Sequence, residues 1–188
     1  MRQTMTLAAA AAAATLAAGT AAAEPSYDHV GLGVGLIELD ERDRDGEGLV
    51  LDGKFSIGPN AYLLGRYAAW DLDAGVDRED FRLGGGLHGP ISRNFDLIGE
   101  LFYENRELER GASERDDDGF GLRGGVLGTI SPGVTLGGGA VYYDLDSDEE
   151  LGLYGETWVD VGRRVQVGGE LELGDEQELL TVGARLRF

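Results

Sequence analysis

Ten times between residues 27 and 188, apolar side chains occupy every second position of a short run. A period of two is that of a β-strand, whose successive side chains point to opposite faces. The first run sets Val30, Leu32, Val34 and Leu36 in one phase and Gly31, Gly33 and Gly35 in the other. The second carries Leu49, Leu51, Phe55 and Ile57 against Val50, Asp52, Lys54 and Ser56. The third places Leu63 and Tyr67 against Arg66; the fourth places Phe81, Leu83 and Leu87 against Arg82, Gly84, Gly86 and His88. In the fifth, Phe95, Leu97, Leu101 and Tyr103 alternate with Asp96, Glu100 and Glu104, and in the sixth Phe120, Leu122, Val126 and Ile130 oppose Arg123 and Gly125. Four more runs follow, from Val134 to Tyr142, Leu151 to Val161, Val165 to Leu173 and Leu180 to Phe188, with Glu156, Glu170 and Arg185 in their polar phase.

The connections are of two kinds, and the kinds alternate. Those at 58–60, 89–94, 131–133 and 162–164 are short and mostly Gly, Pro, Asn and Ser, the composition of tight reverse turns. Those at 40–47, 71–80, 107–118, 144–150 and 175–178 are longer and acidic, and predict five polar loops at the opposite end. Five long and four short connections require ten strands with both chain ends on the short-turn side. The pattern predicts an all-β, antiparallel up-and-down barrel over residues 24–188, with eight strands as the alternative count.

Alternation alone does not say which phase faces inward. A soluble barrel hides its apolar phase; a membrane barrel turns it to lipid. The polar phase here combines Gly with Arg66, Arg82, Glu100, Glu104, Arg123, Glu156, Glu170 and Arg185. A narrow lumen tolerates small residues and opposed charges that pair, so these eight form the candidate lumen network. Aromatics gather near the run ends: Tyr67, Trp70, Phe81, Tyr103, Phe120, Tyr142 and Tyr143 toward the acidic loops, and Phe55, Phe95 and Phe188 at the other side. Two such girdles mark two membrane interfaces, so the prediction is a transmembrane barrel.

The first 23 residues read differently. Arg2 is the one basic residue of a short n-region, residues 7–18 are apolar, and Ala21, Ala22 and Ala23 supply an A-x-A cleavage site. This predicts a signal peptide at 1–23; its apolar run of about a dozen residues is too short to span a bilayer. With no Cys there are no disulfides, and stability rests on backbone pairing and burial. A formal net charge of -19 argues against nucleic acid as a partner.

The ending Leu180-x-Val182-x-Ala184-x-Leu186-x-Phe188 resembles the terminal β-signal by which outer-membrane barrels are recognised for assembly. The stretch from Gly53 through Pro59 and Asn60 to Tyr67 is similar to hairpins of small OmpA/OmpX-like barrels of Gram-negative bacteria. The resemblance covers nearly all of the mature chain, but it is architectural: those barrels have eight strands, and no functional residue carries over. It implies an outer-membrane location, outer-membrane lipid and lipopolysaccharide as surroundings, and passage through the secretion translocon and the barrel assembly machinery.

The inventory for catalysis is thin. His29 and His88 both fall toward the short-turn rim, and neither His29-Val30-Gly31 nor His88-Gly89-Pro90 has a Ser beside it. Gly119-Phe120-Gly121-Leu122-Arg123-Gly124 matches G-x-G-x-x-G, but lies within a strand run with no helix following. Residues 41–52 space their acids like a calcium loop, with Gly46 sixth and Asp52 twelfth. Glu41 in first place, Asp in last and flanking strands depart from that pattern, and a solvated acidic loop is the plainer reading. The expectation is therefore a barrel without catalytic residues, metal or cofactor, serving a structural or surface-interaction role. Divalent cations at the acidic loops are a candidate partner. A narrow, porin-like channel for ions or small solutes is the alternative, and a lipid-modifying enzyme a distant third.

Overall fold

The computed structural model describes residues 25–39, 44–73, 75–110, 113–146, 149–175 and 177–188. The expected signal peptide lies outside them. All the described elements are strands: β1 (His29–Leu39), β2 (Arg44–Ser56), β3 (Ala61–Leu72), β4 (Val76–Pro90), β5 (Phe95–Arg110), β6 (Ser113–Ser131), β7 (Val134–Leu145), β8 (Glu149–Asp160), β9 (Val165–Gly174) and β10 (Gln177–Arg187). Each pairs antiparallel with its neighbours in sequence, and β1 pairs with β10 from His29 opposite Arg187 to Leu39 opposite Gln177. The sheet closes on itself as a ten-stranded up-and-down barrel, so within the closed belt each strand pairs on both sides, while residues 113–118 of β6 extend beyond β7.

The four short turns fall where Gly, Pro and Asn predict them. The tightest joins β6 to β7 through Pro132 and Gly133, and Gly133 takes a φ of +77° that a side chain would strain. At the other end the structure differs from expectation. The acidic segments are not long loops, for β2 begins at Arg44, β4 at Val76 and β8 at Glu149, and β5 and β6 stay paired as far as Arg110 opposite Ser113. Asp and Glu are poor strand formers, but a hairpin already in register extends by adding backbone bonds between residues held side by side, and the charges stay in water. The calcium-like segment is also strand from Arg44 onward, and its first residues, 41–43, lie outside the described residues. Among the described residues, no group of three or more His, Asp or Glu could hold a metal ion.

The apolar phase points outward on every strand. Leu32, Leu101, Phe120 and Leu153 are each more than half exposed, whereas Val50, Arg82, Glu100 and Arg123 in the other phase are buried. An apolar exterior around a charged interior is the inverse of a soluble fold, and only lipid makes it favourable. Tyr67, Phe81, Tyr103 and Phe120 stand on the outer face near the acidic end, and Phe55 and Phe188 on the outer face near the turns. Trp70 and Tyr143 do not belong to that girdle. They sit in the inward phase and are buried, as their odd offsets from Tyr67 and Tyr142 require.

The lumen is also more apolar than the polar phase suggests. Tyr62, Leu64, Ile98, Phe102, Val141 and Tyr143 pack together inside, and Ile37, Val50, Trp70, Leu72 and Val76 form a second group. Glycines on facing strands make room for the large rings. A Cβ at Gly86 would strike the Tyr62 ring, one at Gly121 the Phe102 ring, and one at Gly35 the Trp70 ring. The glycine-rich phase is thus a set of niches filled from across the sheet, and the wall is not thin at these points.

Candidate functional site

The most distinctive chemistry of the molecule is a chain of charged and aromatic side chains that crosses the bore at three levels. At the short-turn mouth, Tyr27 precedes β1 and turns into the lumen, stacking on His88 (3.9 Å) and Tyr62 (5.0 Å). Its hydroxyl donates to Asp96 Oδ2 at 2.8 Å, and His88 Nδ1 lies 3.1 Å from the same oxygen. His29 Nε2 lies 3.1 Å from Asp52, which also meets Arg185 at 3.3 Å. The two histidines therefore have separate aspartate partners, at the mouth where the sequence places them.

The middle level centres on Arg123. The register sets Glu156 directly opposite Glu170 on β8 and β9, and Arg66 directly opposite Arg82 on β3 and β4. Like charges so placed repel. Each pair is relieved by opposite charges on other strands. Arg123 reaches from β6 to Glu170 at 2.7 Å, with Glu156 at 3.9 Å and Glu100 at 4.0 Å, and its guanidinium lies 3.5 Å above the Tyr154 ring. Arg66 reaches Glu170 at 2.9 Å, and Arg185 reaches Glu156 at 3.2 Å while covering the Trp158 ring. Glu100 accepts from Lys54 Nζ at 2.5 Å and from the Tyr62 hydroxyl at 2.7 Å. Planar guanidinium groups suit this work because they donate in several directions and stack on rings.

Toward the acidic end, Arg82 donates to Glu104 at 2.7 Å and to the Tyr143 hydroxyl at 2.7 Å, and the Tyr143 hydroxyl in turn donates a hydrogen bond to Glu172 at 2.5 Å. Arg106 lies 3.5 Å from Glu150, Arg78 donates to Asp80 at 2.6 Å and to Gln177 at 3.1 Å, and Trp70 Nε1 donates to Asp80 at 2.8 Å. Between these side chains lie partly open gaps of about 40 Å³ and about 20 Å³, lined mainly by the charged residues named above. Each is far below the roughly 300 Å³ at which small-molecule sites begin.

All eight candidate network residues, Arg66, Arg82, Glu100, Glu104, Arg123, Glu156, Glu170 and Arg185, face the lumen, and each has an oppositely charged partner there. The sequence reading did not include Lys54, Tyr62, Arg78, Arg106, Tyr143 or Glu172. Lys54 sits in the polar phase and could have been added on that ground; the tyrosines could not, because flanking apolar residues mask their phase. The G-x-G-x-x-G segment is an uninterrupted part of β6. In the terminal motif, Val182, Ala184, Leu186 and Phe188 lie exposed on the outer face and Leu180 is half-buried. The Phe188 ring lies 6.3 Å from that of Phe55.

No family model matches the chain, and no curated protein matches it in sequence. Solved structures do match in shape. The β domain of the Bordetella autotransporter BrkA aligns over 86% of this chain and 99% of its own, at 10% identity and a TM-score of 0.55. The KdgM porin in complex with disordered oligogalacturonate aligns over 86% and 99%, at 11% identity and a TM-score of 0.48. Neisserial surface protein A aligns over 87% and 98%, at 12% identity and a TM-score of 0.44. At such identities the likeness is one of fold. With its closed antiparallel ladder, outward apolar face and charged interior, the chain has the fold of the small bacterial outer-membrane β-barrels.

Proposed function

We propose that this chain is a non-conducting outer-membrane barrel with a structural or surface-interaction role and no catalysis. The observation that carries this reading is the bridged lumen. Ion pairs and hydrogen bonds cross the bore at three levels, and the gaps beside them measure only about 40 Å³ and about 20 Å³. A solute path would require breaking several buried pairs at once, each costing about 3–5 kcal/mol when one partner is left behind. In planar bilayers the purified barrel is expected to give no steady single-channel steps. Regular steps of one size would overturn the closed reading in favour of a narrow channel.

The reading includes export by a signal peptide at 1–23 and assembly through Leu180, Val182, Ala184, Leu186 and Phe188. Support for the latter is that β10 closes the barrel against β1. It also assigns the acidic rim to the cell surface, where it meets lipopolysaccharide through divalent cations. There Glu38 stands opposite Asp45, Glu47 opposite Asp71, and Asp144 opposite Glu149. Such repulsion is eased by bound cations. Millimolar magnesium is expected to raise the unfolding temperature, and an unchanged temperature would remove the bridging element.

A further inference from the structure

One part of the outer wall is concave. A cleft of about 830 Å³ opens on the outside of the barrel and runs from the apolar belt into the acidic rim. Its apolar side is formed by Val34 and Leu36 of β1, Leu49 of β2 and Val182 of β10, all more than half exposed. Its other side carries Asp71, Asp77, Glu79 and Glu109. The strand register places Asp71 opposite Asp77, and Asp77 opposite Glu109, so the carboxylates face one another across neighbouring strands. Arg78 is the one cation in the lining among the described residues, and its guanidinium is turned inward to Asp80 and Gln177. Behind the cleft Gly35 and Gly48 present no side chain, and the Trp70 ring closes the wall from within.

The volume is that of a small-ligand site. We propose that this cleft binds a cationic amphiphile, with an alkyl chain along Val34, Leu36, Leu49 and Val182 and an ammonium or guanidinium head among Asp71, Asp77 and Glu79. Charge complementarity selects that occupant. A cationic head meets these carboxylates directly, whereas an anionic lipid would need a bridging cation and a bare metal ion would leave the apolar half unused. The proposal rests on the reading that the outer face meets lipid.

Trp70 provides the probe, since the chain has only two Trp. The Trp158→Phe barrel in nanodiscs is titrated with a chain-brominated alkyltrimethylammonium, and separately with the same brominated chain bearing a sulfate head. Saturable quenching by the cation, not matched by the sulfate, is the expected result. The triple change Asp71→Asn, Asp77→Asn and Glu79→Gln is expected to weaken it by about tenfold or more. Absent or non-saturating quenching, equal quenching by both heads, or a triple variant that binds as before would each overturn the proposal. Heat-modifiable migration on gels is recorded for every sample. Its loss in wild type would contradict the barrel reading; its loss in Trp158→Phe alone would move the titration to wild type, where the same outcomes decide.

Discussion

Replacing Arg123 by Ala tests whether the lumen is held by its charges. The substitution removes a buried guanidinium that meets Glu170 at 2.7 Å, Glu156 at 3.9 Å and Glu100 at 4.0 Å. Three carboxylates then remain around the gap, two of them directly opposite in the β8–β9 ladder. None is left wholly unpaired: Glu170 keeps Arg66, Glu156 keeps Arg185, and Glu100 keeps Lys54 and Tyr62. The cost therefore belongs at the low end for breaking a buried pair, about 3 kcal/mol. For a domain of this size that corresponds to a midpoint about 6–12 °C lower. The assay is the temperature at which the compact band of the purified barrel converts to the extended band on gels. The level above, with Arg82, Glu104, Tyr143 and Glu172, is untouched, so the variant is expected to remain non-conducting. A midpoint within about 2 °C of wild type would refute the claim that Arg123 organises the lumen.

Three further perturbations probe other parts of the account. Gly86→Val drives a side chain into the Tyr62 ring and is expected to cost about 1–3 kcal/mol in urea unfolding, whereas Gly99→Ala, with open space at its Cβ, is expected to cost much less. Leu101→Arg on the outer face is expected to cost about 2–4 kcal/mol in a bilayer, where a surface change on a soluble barrel would cost about 0.5 kcal/mol or less. Phe188→Ala removes a ring that is mostly exposed and touches Phe55, so the refolded barrel is expected to lose about 1 kcal/mol or less. In cells the same change is expected to lower the amount reaching the outer membrane several-fold, and equal effects in both assays would argue against an assembly role.

Strand number, phase and the short turns were legible because each rests on a strong local rule. Val30, Leu32, Val34 and Leu36 alternate with glycines, and no other backbone puts all four on one face. The acidic connections misled because propensity is local and pairing is not: Asp77 to Asp80 would read as loop anywhere except above a strand already in register. The inward aromatics were hidden for a different reason. Tyr62-Leu63-Leu64 and Val141-Tyr142-Tyr143 are apolar in both phases, so alternation fades where the lumen itself is packed. The eight charged residues named for the lumen escaped this ambiguity, since a carboxylate or guanidinium within the membrane depth has only the lumen to face. Which carboxylate each guanidinium meets depends on strand tilt and on distances across the bore, and strand periodicity holds no record of either.

The most direct test of the central claim uses the chain's lack of cysteine. Single cysteines placed at each position from 97 to 103 of β5, labelled with a fluorophore in bilayers, can be quenched by a lipid-borne nitroxide. The account predicts strong quenching at 97, 99, 101 and 103 and weak quenching at 98, 100 and 102, following the exposure of Leu97, Leu101 and Tyr103 and the burial of Ile98, Glu100 and Phe102. The opposite alternation, or no alternation at all, would contradict a barrel that turns its apolar face to lipid and closes its charges within.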